Sequence, residues 1–257
     1  MRELLIALPL PVITAILFVF FAAVSLGARQ FVLRRRDEEG REAASEQAKS
    51  LLTGVAATFA FFVGFAISVT WGAVTAGQVA VEQQAAAVHQ MAWELDNIAD
   101  RSESSTLTSK LKAYATAVVE QDAAVLRRGQ TAELPSAAAL DAFEQALHAY
   151  VNGPKAAQWQ YSTLVSGASA VGAASASVEA VASRSVPRPL VVLLLVVGAL
   201  SAIVLGVTTV VYERATMIYV WSLIPALSLT IVLALAYPFA LRSGVNLAPM
   251  RSVVAHL

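Results

Sequence analysis

Three histidines, His89, His148 and His256, are the side chains best suited to hold a metal or move a proton near neutral pH. They lie far apart in the chain. One carboxylate stands at a helical ligand spacing from any of them, Glu144 at i, i+4 to His148, and that pairing arises often by chance on a solvated helix face. Asp96, Asp100 and Glu103 form an acidic patch that can either bind a divalent cation or simply face water. The chain has no cysteine, which removes disulfides, thiolate nucleophiles and Cys-held zinc or iron–sulfur sites. No P-loop, GxGxxG fingerprint, nucleophile elbow or HExxH motif occurs. With no nucleophile, metal set or cofactor loop to build on, the reading assigns no catalytic residue, no cofactor and no metal, and it sets enzymes aside.

The elements that position these residues point to a different class. Hydrophobic residues make up 57% of the chain and charged ones only 14%, with a mean hydropathy of +0.64, well to the membrane side of soluble averages. Four stretches, 4–28, 51–74, 189–211 and 216–241, contain no Asp, Glu, Lys, Arg or His. Each is close to or longer than the ~20 residues a helix needs to cross ~30 Å of hydrocarbon. Strand signals are nearly absent. The expected fold is an all-α integral membrane protein with four transmembrane helices, paired as two hairpins around a helical insert. Its segments are span one at 1–28, a charged loop at 29–50, span two at 51–74, the insert at 75–187, span three at 188–211, a tight turn at 212–215, span four at 216–241 and a tail at 242–257. The first stretch is too long for a secretory h-region, and Arg29, Arg34, Arg35 and Arg36 follow it directly, so it reads as a retained span. Net charge is zero, which suggests no nucleic-acid partner. The expected partner is the lipid bilayer.

The positive-inside rule weighs short loops next to spans. The segment 29–50 carries Arg29, Arg34, Arg35, Arg36, Arg41 and Lys49 and is expected in the cytoplasm of a bacterial inner membrane. The insert is then extracytoplasmic. Between 75 and 187 it holds seven Lys/Arg against eleven Asp/Glu, an acidic excess consistent with that side.

Span two carries the most informative pattern. Ala56, Ala60, Gly64, Ser68, Gly72, Ala76 and Ala80 are small residues spaced by four. Rows of this kind let helix backbones approach closely, where van der Waals contact substitutes for the missing hydrophobic drive. On a 3.6-residue helix the row drifts about 40° per step, so Ala60, Gly64, Ser68 and Gly72 are about what one partner helix can cover. Phe59, Phe61, Phe62 and Phe65 sit on other faces, toward lipid, a neighbour or a pore. No Pro or charge interrupts the chain after Trp71, and Val74, Val81, Val88 and Leu95 recur at seven. One helix is expected to continue to about Asp100 as an amphipathic rod.

Within the insert, Ser104 or Ser105 is expected to cap a helix carrying Leu107, Leu111, Tyr114, Val118 and Val125, closed by Arg127, Arg128 and Gly129. Pro135 suits the first turn of the next, with Leu140, Phe143, Leu147 and Val151 as its stripe, and Asn152-Gly153-Pro154 ends it. The Ala/Ser/Gly-rich stretch 155–183 favours a helix or a partly ordered stalk.

Three stretches give the chain a resemblance to the bestrophin-like bacterial membrane proteins. They are the basic turn Arg34-Arg35-Arg36, span two from Ala66-Ile67-Ser68-Val69-Thr70-Trp71 through Val81-Glu82-Gln83, and the closing Ala236-Tyr237-Pro238-Phe239 followed by Gly244, Val245 and Pro249. The chain departs from the family's pattern at Gly72, where a Glu often follows the Trp, and at Gly244, which comes later after Pro-Phe than is usual. The resemblance implies an oligomeric anion channel, or a non-conducting relative, whose second span lines the pore with apolar residues one turn apart. The positions that match are Phe61, Phe65 and Val69. It also implies a cytoplasmic region between spans two and three, opposite to the side that the charges indicate. The absence of charges in the spans argues independently against a proton-coupled carrier. Another role that these residues allow is a scaffold or accessory subunit that binds a membrane-protein partner through its insert.

Overall fold

The computed structural model describes residues 8–127, 134–154, 156, 158–183, 187–212, 215–236, 239 and 245–257. Among these residues the regular structure is entirely helical. In chain order the helices are α1 (Leu10–Arg35), α2 (Glu38–Asp96), α3 (Arg101–Ala117), a π-helical turn (Val118–Asp122) leading into α4 (Ala123–Arg127), α5 (Ser136–Val151), α6 (Gln158–Ser183), α7 (Arg188–Thr208), α8 (Thr216–Leu235) and α9 (Ala248–His256). The expected residues Arg128, Gly129, Glu213, Arg214, Tyr237, Pro238 and Gly244 lie outside the described residues, as do positions 1–7 of span one.

Two expected boundaries move. The stretch 29–50 is not a loop: α1 runs to Arg35 and α2 starts at Glu38, leaving two residues between them. The break is made by Asp37, whose Oδ1 accepts the Gly40 N–H at 3.1 Å as an N-cap, with Glu38 and Glu39 placed favourably in the first turn. Likewise α3 is capped not by Ser104 or Ser105 but by Asp100, whose carboxylate accepts the N–H groups of Ser102 and Glu103. An ionised carboxylate is a stronger acceptor for orphan amides than a serine hydroxyl. Ser104 instead donates to the Leu95 carbonyl at 2.9 Å.

By length and composition, five helices among the described residues can cross a bilayer: α1, α2, the Gln160–Ser183 part of α6, α7 and α8. Four were expected. The fifth, α6, qualifies because alanine and valine keep its average apolar and Glu179 is its one charge.

The chain divides into two compact units, and α2 contributes its first half to one and its second half to the other. The first unit draws on 3–72 and 185–236. Phe21 of α1, Phe59, Val63 and Ala66 of α2, Leu194 and Val197 of α7, and Ala226, Leu229 and Val232 of α8 form its core. Several polar groups inside it are paired with backbone carbonyls. Ser25 donates to the Ala202 carbonyl at 2.8 Å, Ser45 donates to the Thr208 carbonyl at 3.0 Å, and the Arg29 guanidinium donates to the Tyr212 carbonyl.

The second unit draws on 73–184 and 237–257 and is a helical bundle. Val81, Val88 and Leu95, three of the four residues repeating at seven, are fully buried. With Met91 and Ile98, Val88 and Leu95 meet Leu107, Leu111 and Tyr114 of α3, Phe143 and Leu147 of α5, and Leu164 and Val171 of α6, while Val81 packs with Val178 and Val181 of α6. The stretch expected as a tail supplies α9, whose Met250 and Val253 belong to this core. Helix α5 ends at Val151, where Asn152-Gly153-Pro154 stops it.

Candidate functional site

The two sides of α2 within the first unit are unlike. Phe59, Val63, Ala66 and Thr70 are buried, and they recur at the three- and four-residue steps of one helix face. Around the rest of the helix, Phe61, Phe65 and Val69 are 69%, 54% and 43% exposed. Phe61 touches only the edge of its neighbour Phe62 among aromatic rings, with centroids 5.7 Å apart. Ala60, Gly64, Ser68 and Gly72 are also exposed. A methyl group built on Gly64 or Gly72 meets nothing within 4 Å. The row expected to pack a helix closely is therefore unoccupied within its own chain, and it runs beside the three apolar positions.

Close helix approach inside the chain happens elsewhere. Gly198, Ala202 and Gly206 of α7 also recur at four, and they face α1. A methyl on Gly198 would lie 2.9 Å from the Phe21 ring and 3.3 Å from that of Phe59. On Gly206 it would strike the backbone carbonyl of Ser25. Between them the Ala202 carbonyl accepts the Ser25 hydroxyl. The row has the same four-residue spacing as that of α2 but is shorter, which is the one signal of it in the sequence.

The residues with chemical potential fall in the second unit, and several are put to structural use. Asp100 caps α3, and Asp96 pairs with Arg101 at 3.1 Å on the surface. Glu144 and His148 line a cavity of about 170 Å³ with Val165, Ala168 and Ser169. His89 and His256 stand apart from it. No cluster of three or more potential metal ligands occurs among the described residues. Tyr114 is buried and accepts a hydrogen bond from Gln84 Nε2 at 2.8 Å; burial pushes its hydroxyl pKa up. Asp122 sits at the π-helical turn and accepts the Ser136 N–H at 3.0 Å, and burial raises its carboxyl above the usual carboxylate value. The bonds of Tyr114 and Asp122 tie helices together.

The part of the closing pattern that is described lands on α2. Val245 reaches the position where a side chain on Gly77 would begin, and Phe239, Val245 and Leu247 pack on the cluster of Ala80, Val81, Val178 and Val181. The Asn246 N–H donates to Gln78 Oε1 at 2.8 Å, and Gln78 Nε2 donates to Glu82 at 2.9 Å.

Comparison with known proteins agrees with this layout. A family model described as the Bestrophin-like domain matches residues 16–250. A solved structure of a bacterial bestrophin homologue from Klebsiella pneumoniae, carrying one mutation, is similar with a TM-score of 0.66 and 15% identity, over 93% of this chain and 96% of that one. Another crystal structure of a bestrophin homologue from that organism gives 0.65 and 14%, over 95% and 94%. A structure described as a membrane protein gives 0.67 and 15%, over 93% and 95%. At these identities the structures speak to fold alone. No curated protein sequence matches the chain.

Proposed function

The chain belongs to the bestrophin-like family, and from that premise we propose that it is an oligomeric ion channel in a bacterial inner membrane, with Phe61, Phe65 and Val69 lining the pore. The observation that carries this reading is the unoccupied face of α2. A helix that packs one side into its own chain and leaves Phe61, Phe65 and a row of small residues open has a surface suited to further copies. Small residues at Ala60, Gly64, Ser68 and Gly72 allow neighbouring subunits to come close. Large apolar side chains beside them can form a constriction that gates by dewetting. Following the family, the permeant species is an anion.

Four helices, α1, the first half of α2, α7 and α8, are proposed to span the bilayer. Helix α6 is excluded from that set because Leu164, Val171, Val178 and Val181 are buried in the second unit's clusters. The charges place the α1–α2 junction inside and the second unit outside, whereas the family arrangement is the reverse. Exposed positions on the two segments, Ala43 and Ser105, serve to decide it. In a chain free of cysteine, labelling of S105C but not A43C by an impermeant reagent on intact cells supports the charge-based side. The opposite pattern establishes the family's side.

The channel itself is tested by anion flux from liposomes holding the purified protein. Flux is expected, with F65A changing its rate severalfold. No flux in any salt overturns the reading.

A further inference from the structure

We propose that the outward side of α1 binds an anionic phospholipid, with its headgroup on Arg34 and Arg35 and one acyl chain laid along the helix toward Phe20. The inference rests on α1 being a membrane span and not on the channel reading. Ile16, Phe20, Ala23, Gly27, Phe31 and Arg34 recur at the three- and four-residue steps of one helix face, and all six are exposed. The other side of α1 carries Phe21 and Ser25, which are fully buried.

The outward face has relief. Phe20 and Phe31 are large and exposed, and the residues between them in the row, Ala23 and Gly27, are small. A methyl group built on Gly27 meets nothing within 4 Å. Two rings with a dip between them offer a flexible hydrocarbon chain apolar contact along the helix. From Phe20 to Arg34 the row rises about 21 Å, more than the half of the ~30 Å hydrocarbon layer that one lipid chain occupies. A chain lying beside it therefore begins at the level of the arginines.

The charges at that end select the headgroup. Three of the cations around the α1–α2 junction are already used inside the chain. Arg29 donates to the Tyr212 carbonyl, Arg41 donates to the Leu33 carbonyl at 2.6 Å, and Lys49 pairs with Glu46 at 2.7 Å. Arg34, Arg35 and Arg36 are exposed and pair with no acid among the described residues. The Arg35 guanidinium lies over the Phe31 ring, 5.4 Å from its centroid, which holds it at the apolar edge of the cluster. A guanidinium fork matches the paired oxygens of a phosphate. Asp37, Glu38 and Glu39 follow directly, so three negative charges offset three positive ones and long-range attraction is weak. Contact with the guanidiniums then separates an anionic headgroup from a zwitterionic one, whose own cation is repelled there.

The test measures lipid binding to the full-length protein in mild detergent by native mass spectrometry, adding phosphatidylglycerol or phosphatidylcholine of equal chain length. Phosphatidylglycerol is expected to bind at the lower concentration. R34Q/R35Q should weaken it roughly thirtyfold, about a factor of five for each arginine, and leave phosphatidylcholine unchanged. R251Q/K112Q, which removes two exposed cations of the second unit, should bind as wild type. G27L fills the dip where the fold has room and should weaken phosphatidylglycerol severalfold. All these positions are exposed, so each variant should keep the unfolding midpoint of the wild type. Equal binding of the two lipids overturns the proposal, as does R34Q/R35Q or G27L behaving as wild type. Inorganic phosphate displacing phosphatidylglycerol at matching concentration overturns it too, since the chain then contributes nothing. So does a disulfide joining copies through G27C, since a second subunit then covers the face.

Discussion

Two rows of small residues share the same four-residue spacing and meet opposite fates. On α7, Gly198, Ala202 and Gly206 are consumed within the chain, pressed against Phe21 and the Ser25 backbone of α1. On α2, Ala60, Gly64, Ser68 and Gly72 face outward beside Phe61, Phe65 and Val69, with no atom near the two glycines. The first row builds the subunit. The second is left over once the subunit is built, and a second copy is the partner proposed for it. In a bilayer, lipid is as apolar as leucine, so close packing decides helix association and a leftover small-residue face is a more specific surface than a leftover leucine.

The contrast can be broken most forcefully on α7. G206V drives a branched side chain into a backbone carbonyl that has little room to give, and G198V drives one into two aromatic rings. Overpacking of this kind costs about 1–3 kcal/mol, with G206V the worse of the two. Thermal unfolding of the purified protein should show the loss. On α2 the same change should leave the subunit intact. G64V is expected to alter folding stability by no more than about 0.5 kcal/mol, yet shift the mass measured in mild detergent toward the monomer. Equal unfolding losses for G64V and G206V would erase the distinction between the rows.

The smallest effect lies in the second unit and serves as a control away from both rows. Burial raises the Asp122 pKa from its ordinary value of 3.8, so the folded chain holds a proton that the unfolded chain releases first. Stability from this group is full below about pH 3.8 and falls as pH rises through the raised value. D122N keeps an oxygen for the Ser136 N–H and removes the titration. Unfolding midpoints of D122N should vary less with pH across that range than those of wild type, with oligomer mass unchanged. A steeper pH dependence in D122N would contradict the assignment.

Much of the fold was legible because its signals are one-dimensional. Charge-free runs mark the apolar helices, and the seven-residue recurrence of Val81, Val88 and Leu95 marks the buried side of α2. The helix stop at Asn152-Gly153-Pro154 follows from local backbone chemistry alone. What could not be read was competition between local options. Asp37 and Asp100 each outcompeted the expected loop or cap because a carboxylate gathers amides better than its neighbours do. Likewise, spacing shows that a small-residue row can pack closely, but whether it is used depends on which helices meet. Spacing alone therefore does not separate Gly198, Ala202 and Gly206, used within the chain, from the α2 row, which is open.

The most direct test of the exposed α2 face uses single cysteines, for which the cysteine-free chain is already suited. F65C and V220C place thiols at two exposed positions, one on the proposed pore face and one on α8. Currents from reconstituted protein are then recorded before and after adding a charged thiol reagent. A pore lined by α2 gives strong block in F65C and none in V220C. An F65C current that ignores the reagent, or equal block at both positions, would contradict the assignment of this face to the pore.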